Sequence, residues 1–285
     1  MITVIGATGK TGQHVVKGLV ERGVAVRAFV RDAEKAKSVL PEGVELEVGD
    51  LADREAVRRA VTGADKVYLA LGQREDQQQL EEAVAEESAA AGVRHIVKIS
   101  VPGASLDSPA NFSRWHAAAE ARIAALGIAS TILRPNWFSQ NFLGSASTIA
   151  SHDTFYAAAG SGHIAPIDVR DIAAVAVAAL TEDGHEGADY YLTGPESLTH
   201  QQIASRLGNG IGRPVNYVDL SDEDFRASLV EADIPGWYAD VFIILMQGIR
   251  AGWFGEVSPV VEKVLGRPAT SFEDFARDHA AAFTA

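Results

Sequence analysis

Residues 1–12 constrain the fold of this 285-residue chain more than any other segment. A short apolar run, Ile2–Ile5, leads into three regularly spaced glycines, Gly6, Gly9 and Gly12, and an amphipathic helical pattern follows them. In a strand–turn–helix unit, the first glycine permits the tight turn, the second lets the backbone approach a pyrophosphate, and the third lets helix and strand pack closely. The helix N-terminus then presents unpaired N–H groups to the phosphates. The segment therefore predicts a dinucleotide-binding βα unit.

The spacing of these glycines is Gly-x-x-Gly-x-x-Gly, and a plain turn with a helix cap is the alternative interpretation. The surrounding pattern favours the dinucleotide, because the first half of the chain alternates β-rich runs with helical segments, as βαβ units do. Strands are predicted over residues 2–5, 24–30, 44–48, 67–71, 95–100 and 128–133, and helices over 11–22, 33–40, 54–61, 75–91 and 112–126.

Beyond residue 135 the alternation weakens. Helices are predicted over 138–149 and 171–180, and β-structure over 155–156, 190–192 and 214–218. The sequence thus predicts an α/β protein: a Rossmann-type doubly wound parallel sheet with a smaller, mostly helical C-terminal substrate lobe. In this prediction residues 1–135 form the NAD(P)-binding Rossmann domain, and residues 136–285 form a mixed region that returns to the sheet at about 166–192 and forms the lobe.

Composition excludes several classes of protein. The chain has no cysteine, which excludes a disulfide scaffold, a thiolate metal site and a cysteine nucleophile. Its formal net charge of −13 disfavours nucleic acid as a partner. The histidines show no metal-binding spacing, so no metal is expected. With no signal-peptide pattern and no apolar run long enough to span a bilayer, we expect a cytoplasmic protein without a membrane partner. A homodimer is compatible with the sequence.

The end of the second predicted strand bears on the choice between NAD and NADP. An arginine at this point accommodates the ribose 2′-phosphate of NADP. Arg31 stands here, and Lys35 follows in the first turn of the next helix, so the two cations can converge on one phosphate. A solvated surface charge is the alternative for Arg31, and Asp32 fits the N-cap of the next helix. NADP(H) is therefore predicted in preference to NAD(H).

Two further loops complete the predicted cofactor site. Asp50 follows the third strand, where a loop borders the adenine, although Asp50 and Asp53 are also plausible helix caps, with capping preferred for Asp53. Leu71 and Gly72 follow the fourth strand, where the chain runs beside the cofactor. The predicted cofactor-binding residues are Gly6, Thr8, Gly9, Lys10, Thr11, Gly12, Arg31, Lys35, Asp50, Leu71 and Gly72.

These motifs together resemble the NmrA-like branch of the atypical short-chain dehydrogenase/reductases. The matching segments are Gly-Ala-Thr-Gly-Lys-Thr-Gly at 6–12, Val-Arg-Asp at 30–32, Gly-Asp at 49–50, Leu-Arg-Pro-Asn-Trp-Phe-Ser-Gln-Asn-Phe at 133–142 and Pro-Ile-Asp-Val-Arg-Asp-Ile-Ala at 166–173. The resemblance covers nearly the whole chain, most clearly residues 1–180. It implies an NAD(P)H-dependent quinone oxidoreductase, a reductase of aromatic or alkaloid-like metabolites, or a non-enzymatic dinucleotide-sensing regulator, and it implies cofactor contacts for the glycine loop and Arg31.

The helix after the fifth strand lacks the Tyr-x-x-x-Lys pair of ordinary short-chain dehydrogenases, in which lysine lowers the phenol pKa and tyrosine transfers the proton. A quinone needs less help, because it accepts hydride readily and its reduced oxygens can take protons from solvent or one nearby acid. The predicted catalytic residues are His116, Ser100 and Asn136, with His116 as the proton donor. A histidine packed on the helix surface or against the lobe is an equal alternative. Cofactor contact and strand-end solvation are both open for Lys98.

The predicted function is an NAD(P)H-dependent oxidoreductase that transfers hydride to a quinone or similar conjugated aromatic acceptor. A non-catalytic NADP(H)-sensing regulatory protein is the alternative from another class, and the same missing Tyr/Lys pair supports it. A biosynthetic imine or enone reductase shares the chemistry of the first hypothesis and differs in its substrate pocket.

Overall fold

The computed structural model describes residues 1–284 and divides the chain into two compact units. The first, which we term the sheet unit, comprises Met1–Pro135 and Val169–Tyr191. The second, the lobe unit, comprises Asn136–Asp168 and the residues from Leu192 onward. Among the described helices, none is both long enough and apolar enough to span a bilayer.

The described strands and helices follow the chain in this order. The strands are β1 (Ile2–Ile5), β2 (Val26–Val30), β3 (Glu45–Val48), β4 (Lys66–Leu69), β5 (His95–Ile99), β6 (Ala129–Pro135), β7 (Thr154–Ala157), β8 (His163–Ile164), β9 (Asp189–Leu192), β10 (Leu198–Thr199) and β11 (Asn216–Asp219). The helices are α1 (Gly12–Glu21), α2 (Ala33–Val39), α3 (Arg54–Val61), α4 (Gln77–Ala90), α5 (Asn111–Ala125), α6 (Ala146–His152), α7 (Val169–Thr181), α8 (His200–Ile211), α9 (Asp222–Glu231), α10 (Gly236–Arg250), α11 (Val260–Leu265), α12 (Phe272–Asp278) and α13 (Ala280–Thr284), with a 3-10 helix over Ser139–Ser145.

The seven strands of the main sheet lie in the order β3-β2-β1-β4-β5-β6-β9. Strand β1 pairs in parallel with both β2 and β4, and the pairings of β2 with β3, β4 with β5 and β5 with β6 are also parallel. The strand order therefore reverses at β1, which makes the carboxyl ends of β1 and β4 a topological switch point, the place where such sheets bind ligands. The predicted Rossmann-type sheet is confirmed.

Helices cover the sheet because their apolar residues recur at helical spacing. Helix α3 buries Ala56, Val57, Ala60 and Val61, and these side chains join β-strand residues and residues of α4 and α5 in one apolar core. Helix α1 packs on α7, where Gly18 lets Val177 approach so closely that an added Cβ would lie 3.0 Å from its methyl group. The prediction of α3 is correct at both ends.

The lobe unit has its own apolar core, rich in aromatic side chains. Phe142 makes edge-to-face contacts with Phe155 and Phe272, with ring centroids 5.6 Å and 5.1 Å apart. The single helix predicted over 138–149 is a 3-10 helix followed by α6, a common arrangement at helix starts. The two-residue strands β8 and β10 were not predicted, because so short a segment shows no alternation.

Candidate functional site

The turn after β1 requires glycine at its first position. Gly6 has a φ of +82°, and a Cβ added to it would lie 2.0 Å from the carbonyl oxygen of Ala70, beyond the end of β4. Ala70 in turn donates its N–H to the carbonyl of Ile5 at 3.2 Å. The ends of β1 and β4 can approach this closely only because residue 6 has no side chain.

The other two glycines of the loop have different surroundings. Gly12 begins α1, and a Cβ on it would lie 2.1 Å from the carbonyl oxygen of Gly6, so it serves the close packing of helix on strand. Gly9 donates its N–H to that same oxygen at 2.9 Å, and a Cβ on Gly9 would meet only this atom, at 3.1 Å. Gly9 is exposed, so its outer side is open to a ligand. On either side of Gly9 in the loop, Thr8 is half-buried and Lys10 is exposed.

Helix α1 begins without a side-chain cap from its N-cap residue. In the described chain its N-cap residue, Thr11, makes no capping hydrogen bond, and its first turn holds no acidic residue. Thr11 Oγ1 instead accepts a hydrogen bond from the buried Tyr68 hydroxyl at 2.8 Å, which ties the start of α1 to β4. The Gln13 N–H donates to the Gly9 carbonyl at 3.2 Å and the Val15 N–H to the Thr11 carbonyl at 3.0 Å. The positive end of the helix dipole at this turn fits a diphosphate, and the open side of Gly9 gives it room.

Helices α2 and α3 differ from α1, because each is capped by its own aspartate. Asp32 accepts hydrogen bonds from the backbone of Glu34 and Lys35, at 2.9 Å and 3.1 Å, and Asp53 accepts one from Glu55 at 2.9 Å. Both predicted capping roles are confirmed.

The predicted clamp for the 2′-phosphate lies at the end of β2. Arg31 directly follows the strand, and Lys35 lies in the first turn of α2; both side chains are exposed. Neither side chain forms an ion pair with another residue of the described part of the chain. The two cations are therefore open to an anion, and whether one phosphate binds both stays a prediction.

The remaining predicted cofactor residues lie in the loops after β3 and β4. Asp50 is exposed and accepts a hydrogen bond from the Ala52 backbone at 2.8 Å, which gives its loop a turn. Leu71 is half-buried against the core of the sheet unit. Gly72 is exposed, and a Cβ added to it would meet nothing within 4 Å. Both loops begin at the carboxyl edge of the sheet.

Ser100, predicted as catalytic, lies directly after β5 in a network of charged groups. Its hydroxyl donates to Glu120 on α5 and accepts a hydrogen bond from Arg134 on β6 at 3.2 Å. Arg134 also binds both carboxylate oxygens of Glu120, at 3.0 Å and 2.7 Å, and its Nε donates to Asp189 at 2.8 Å. Sequence patterns did not reveal this network, because its members come from three separate elements and the loop after β5.

His116, the predicted proton donor, is buried in a second polar cluster. Its Nδ1 lies 2.8 Å from Lys98 Nζ and 3.8 Å from a carboxylate oxygen of Glu81, and its Nε2 lies 3.1 Å from the Gln77 amide nitrogen. Burial and then the charges of Lys98 and Arg134 lower the His116 pKa well below its usual value of 6.5. The helix-surface alternative for His116 and the solvation alternative for Lys98 are both wrong, since both side chains are buried.

Asn136, the third predicted catalytic residue, belongs to the lobe unit. Its Nδ2 donates to the carbonyl of Phe254 at 2.8 Å, and its Oδ1 accepts a hydrogen bond from the Trp137 backbone at 2.6 Å. The structure thus shows a backbone-bracing role for this side chain, and its catalytic role stays a prediction.

Comparison with known proteins supports an NAD(P)H cofactor. A family model described as NAD(P)H-binding matches residues 6–183. An NAD(P)H azoreductase of Xenophilus azovorans is 38% identical over 285 residues, which is 100% of both chains. The structure of the NADPH-dependent quinone oxidoreductase QOR2 of Escherichia coli, complexed with NADPH, has a TM-score of 0.88 and 32% identity over 98% of this chain and 99% of that one.

The negative transcriptional regulator NmrA has the same fold, with a TM-score of 0.78 at 19% identity over 97% of this chain and 94% of that one. The family model covers more than half of the chain, and the full-length relatives are more than 30% identical to it. As its NmrA-like motifs predicted, this chain belongs to the NAD(P)H-binding family.

Proposed function

We propose that this chain is an NADPH-dependent oxidoreductase that reduces a quinone or a similar conjugated aromatic acceptor. The uncapped N-terminus of α1, shaped by Gly6 and Gly12 and open beside Gly9, is the observation that carries the proposal. The relatives support the reaction class: one is named an NAD(P)H azoreductase and another is an NADPH-dependent quinone oxidoreductase. The class of acceptor is inferred from the reactions of these two relatives and from the absence of a Tyr/Lys pair in the described helix α5.

The residues of the sheet unit divide the work of binding. The amides at the start of α1 hold the diphosphate, and Arg31 and Lys35 hold the 2′-phosphate by charge-assisted hydrogen bonds. The loops that begin at Asp50 and at Leu71–Gly72 border the rest of the dinucleotide. When bound, the reduced nicotinamide supplies a hydride, that is, two electrons and one proton, to the acceptor.

The described helix α5 contains neither tyrosine nor lysine, so it lacks the proton-donating pair of ordinary short-chain dehydrogenases. The acceptor must therefore be one that needs little acid catalysis. A quinone meets this condition: its second oxygen can take a proton from solvent after reduction, so positioning contributes most of the rate. His116 is neutral at pH 7 because burial lowers its pKa, and it therefore acts as a hydrogen-bonding group rather than as an acid. Ser100 acts with Glu120 and Arg134 in shaping the end of β5. A catalytic role for Asn136 stays a prediction from the sequence.

Azo compounds are the second candidate class of acceptor, because the relative named an NAD(P)H azoreductase matches the full length of this chain. Stoichiometry separates the two classes. Reduction of a quinone to a hydroquinone consumes one NADPH, whereas cleavage of an azo bond to two amines takes up four electrons and consumes two.

Anaerobic NADPH oxidation with a panel of quinones, azo dyes, enones and imines tests the proposal. We expect acceptor-dependent oxidation that is fastest with quinones, with one NADPH consumed per quinone. Tight NADPH binding without turnover of any acceptor would instead support a sensing protein, and selective turnover of enones or imines would support a biosynthetic reductase.

A further inference from the structure

Four polar side chains form a cluster inside the sheet unit, which we term the Lys98 cluster. Its members are Gln77 and Glu81 on α4, Lys98 on β5 and His116 on α5. The side chains of Lys98 and Glu81 are each 0% exposed, and their charged groups lie 3.0 Å apart. A buried ion pair generally adds no more stability than apolar residues of the same volume would. The role of the pair can instead be to hold the ends of neighbouring elements in a fixed arrangement.

Lys98 uses its ammonium group to join three elements. Nζ donates to the carbonyl oxygen of Ile99 at 2.9 Å and to His116 Nδ1 at 2.8 Å, and it lies 3.0 Å from Glu81 Oε2. Two of the three N–H bonds of the ammonium thus have acceptors, and the Glu81 carboxylate lies at ion-pair distance without a hydrogen bond to its Oε2 from any residue that the structure describes. The last residue of β5 is thereby tied to the interiors of α4 and α5.

The same contact determines which nitrogen of His116 carries the proton. An ammonium only donates, so Nδ1 must accept and the ring proton must be on Nε2. Near Nε2 the neighbour is the Gln77 amide, and Gln77 Oε1 is buried without a hydrogen-bond partner among the described residues. The Gln77 amide nitrogen also donates to Glu81 Oε1 at 3.2 Å, and a half-turn of the amide would replace this hydrogen bond by a contact between two oxygens. Gln77, the first residue of α4, is thus linked to Lys98 through both Glu81 and His116.

The location of the cluster connects it to the cofactor site. Gln77 begins α4 directly after the loop of residues 70–76, which contains Leu71 and Gly72 and follows β4. Ile99 ends β5, the strand next to β4 in the sheet. Ligands of sheets with this strand order bind outside the carboxyl ends of the strands. We propose, on the basis of the function proposed above, that Lys98 is a positioning residue: through His116 and Glu81 it holds the loop before α4 and the end of β5 in the arrangement that the nicotinamide half of the cofactor requires.

The main test removes both buried charges together, as Lys98→Met with Glu81→Gln, because Lys98→Met alone would leave a buried unpaired carboxylate. We expect kcat with a quinone to fall about 10- to 100-fold, since misplacement of reacting groups by an ångström has effects of this size. The Kd of NADPH, measured by calorimetry, should change less than about threefold, because the phosphate contacts remain. The control is the double variant Arg94→Met with Asp65→Asn. Arg94 and Asp65 form an exposed ion pair just before β5 and β4, and its removal should change neither kcat nor the Kd of NADPH.

A second variant tests the link through His116. His116→Asn keeps an acceptor for Lys98 near the position of Nδ1, whereas His116→Leu leaves one N–H of the ammonium unpaired. We expect His116→Asn to retain most of the wild-type kcat and His116→Leu to lose it to the same extent as the double variant.

Nitrogen-15 NMR of the wild-type histidine rings gives a readout that does not depend on activity. The charged groups facing the His116 ring are Glu81 from α4, Lys98 from β5 and Arg134 from β6. We expect His116 to show the Nε2–H tautomer and to stay neutral at pH 7, because burial holds its pKa well below the usual value of 6.5. An Nδ1–H tautomer, or a double variant that keeps the wild-type kcat, would overturn the proposal. If the wild type binds NADPH but reduces no acceptor, the proposed function fails while the tautomer still decides the role of Lys98.

Discussion

The carbonyl oxygen of Ala70 occupies the space where a side chain on Gly6 would begin, since a Cβ there would lie 2.0 Å away. This contact brings the carboxyl ends of β1 and β4 together at the switch point of the sheet. The start of α1 is close to the same turn, because a Cβ on Gly12 would lie 2.1 Å from the Gly6 carbonyl oxygen. The shape of the phosphate site and the packing of the sheet therefore depend on the same missing side chain.

Gly6→Ala should both destabilise the protein and abolish NADPH binding. Gly63→Ala is the matched control, because Gly63 has a φ of +75° but nothing within 4 Å of an added Cβ. We expect Gly63→Ala to lower the free energy of unfolding by about 1–2 kcal/mol, from the backbone conformation alone. Gly6→Ala should add the cost of overpacking, for a total of about 3 kcal/mol or more. Urea denaturation measures both, and equal losses would contradict the role of the Ala70 contact.

Arg31→Ala should raise the KM for NADPH about 10- to 100-fold and leave that for NADH nearly unchanged, because one charge-assisted hydrogen-bonding group is lost. Lys37→Ala is the control: Lys37 is an exposed cation of the same helix as Lys35 and pairs with Glu34. Steady-state kinetics with both cofactors decides the matter. The clamp assignment is wrong if Arg31→Ala and the control give the same ratio of the two KM values.

Gly72→Ala tests whether the loop after β4 borders the cofactor. An added methyl group meets no protein atom within 4 Å at Gly72, nor at Gly144 in the 3-10 helix, so neither variant should lose much stability. We expect Gly72→Ala to weaken NADPH binding about tenfold by steric conflict with the dinucleotide, and Gly144→Ala to leave it unchanged. Calorimetric titration of both variants provides the comparison, and unaltered binding by Gly72→Ala would remove this loop from the site.

His200 should make the protein less stable in acid. Burial within the aromatic core of the lobe unit lowers its pKa from 6.5 to about 4. Above pH 6.5 the ring is neutral in both folded and unfolded chains, so it has no effect. Between pH 6.5 and about pH 4 only the unfolded chain takes up the proton, and stability falls by up to about 3 kcal/mol. His200→Phe should make this loss shallower and change little at pH 8.

The matched control for that measurement is His163→Phe, since His163 is exposed. Urea denaturation from pH 4 to pH 8 should give nearly the same pH profile for this variant as for the wild type. His95 is also buried, and burial lowers its pKa to about 4, so some acid destabilisation should persist in His200→Phe. Parallel profiles for the wild type and His200→Phe would contradict the assignment.

Local sequence patterns predicted the strands and helices of the sheet unit to within a few residues. Alternation of apolar and polar residues along strands, helical spacing along α1 and α3, and the aspartate caps of α2 and α3 are all local signals, because each depends on neighbours a few positions away. The glycine loop was recognisable for the same reason: a strand, its turn and the following helix are consecutive in the chain.

Contacts between polar residues that are distant in the chain depend on the tertiary structure. Glu81 is one of several glutamates in a helix of weak amphipathicity, and Lys98 interrupts an apolar strand; neither position alone indicates that the two form a buried ion pair. The same holds for Ser100 with Glu120 and for Gly6 with Ala70. Such contacts depend on strand order and on which helix face lies on the sheet. Those features arise when the whole core packs, and no local periodicity encodes them.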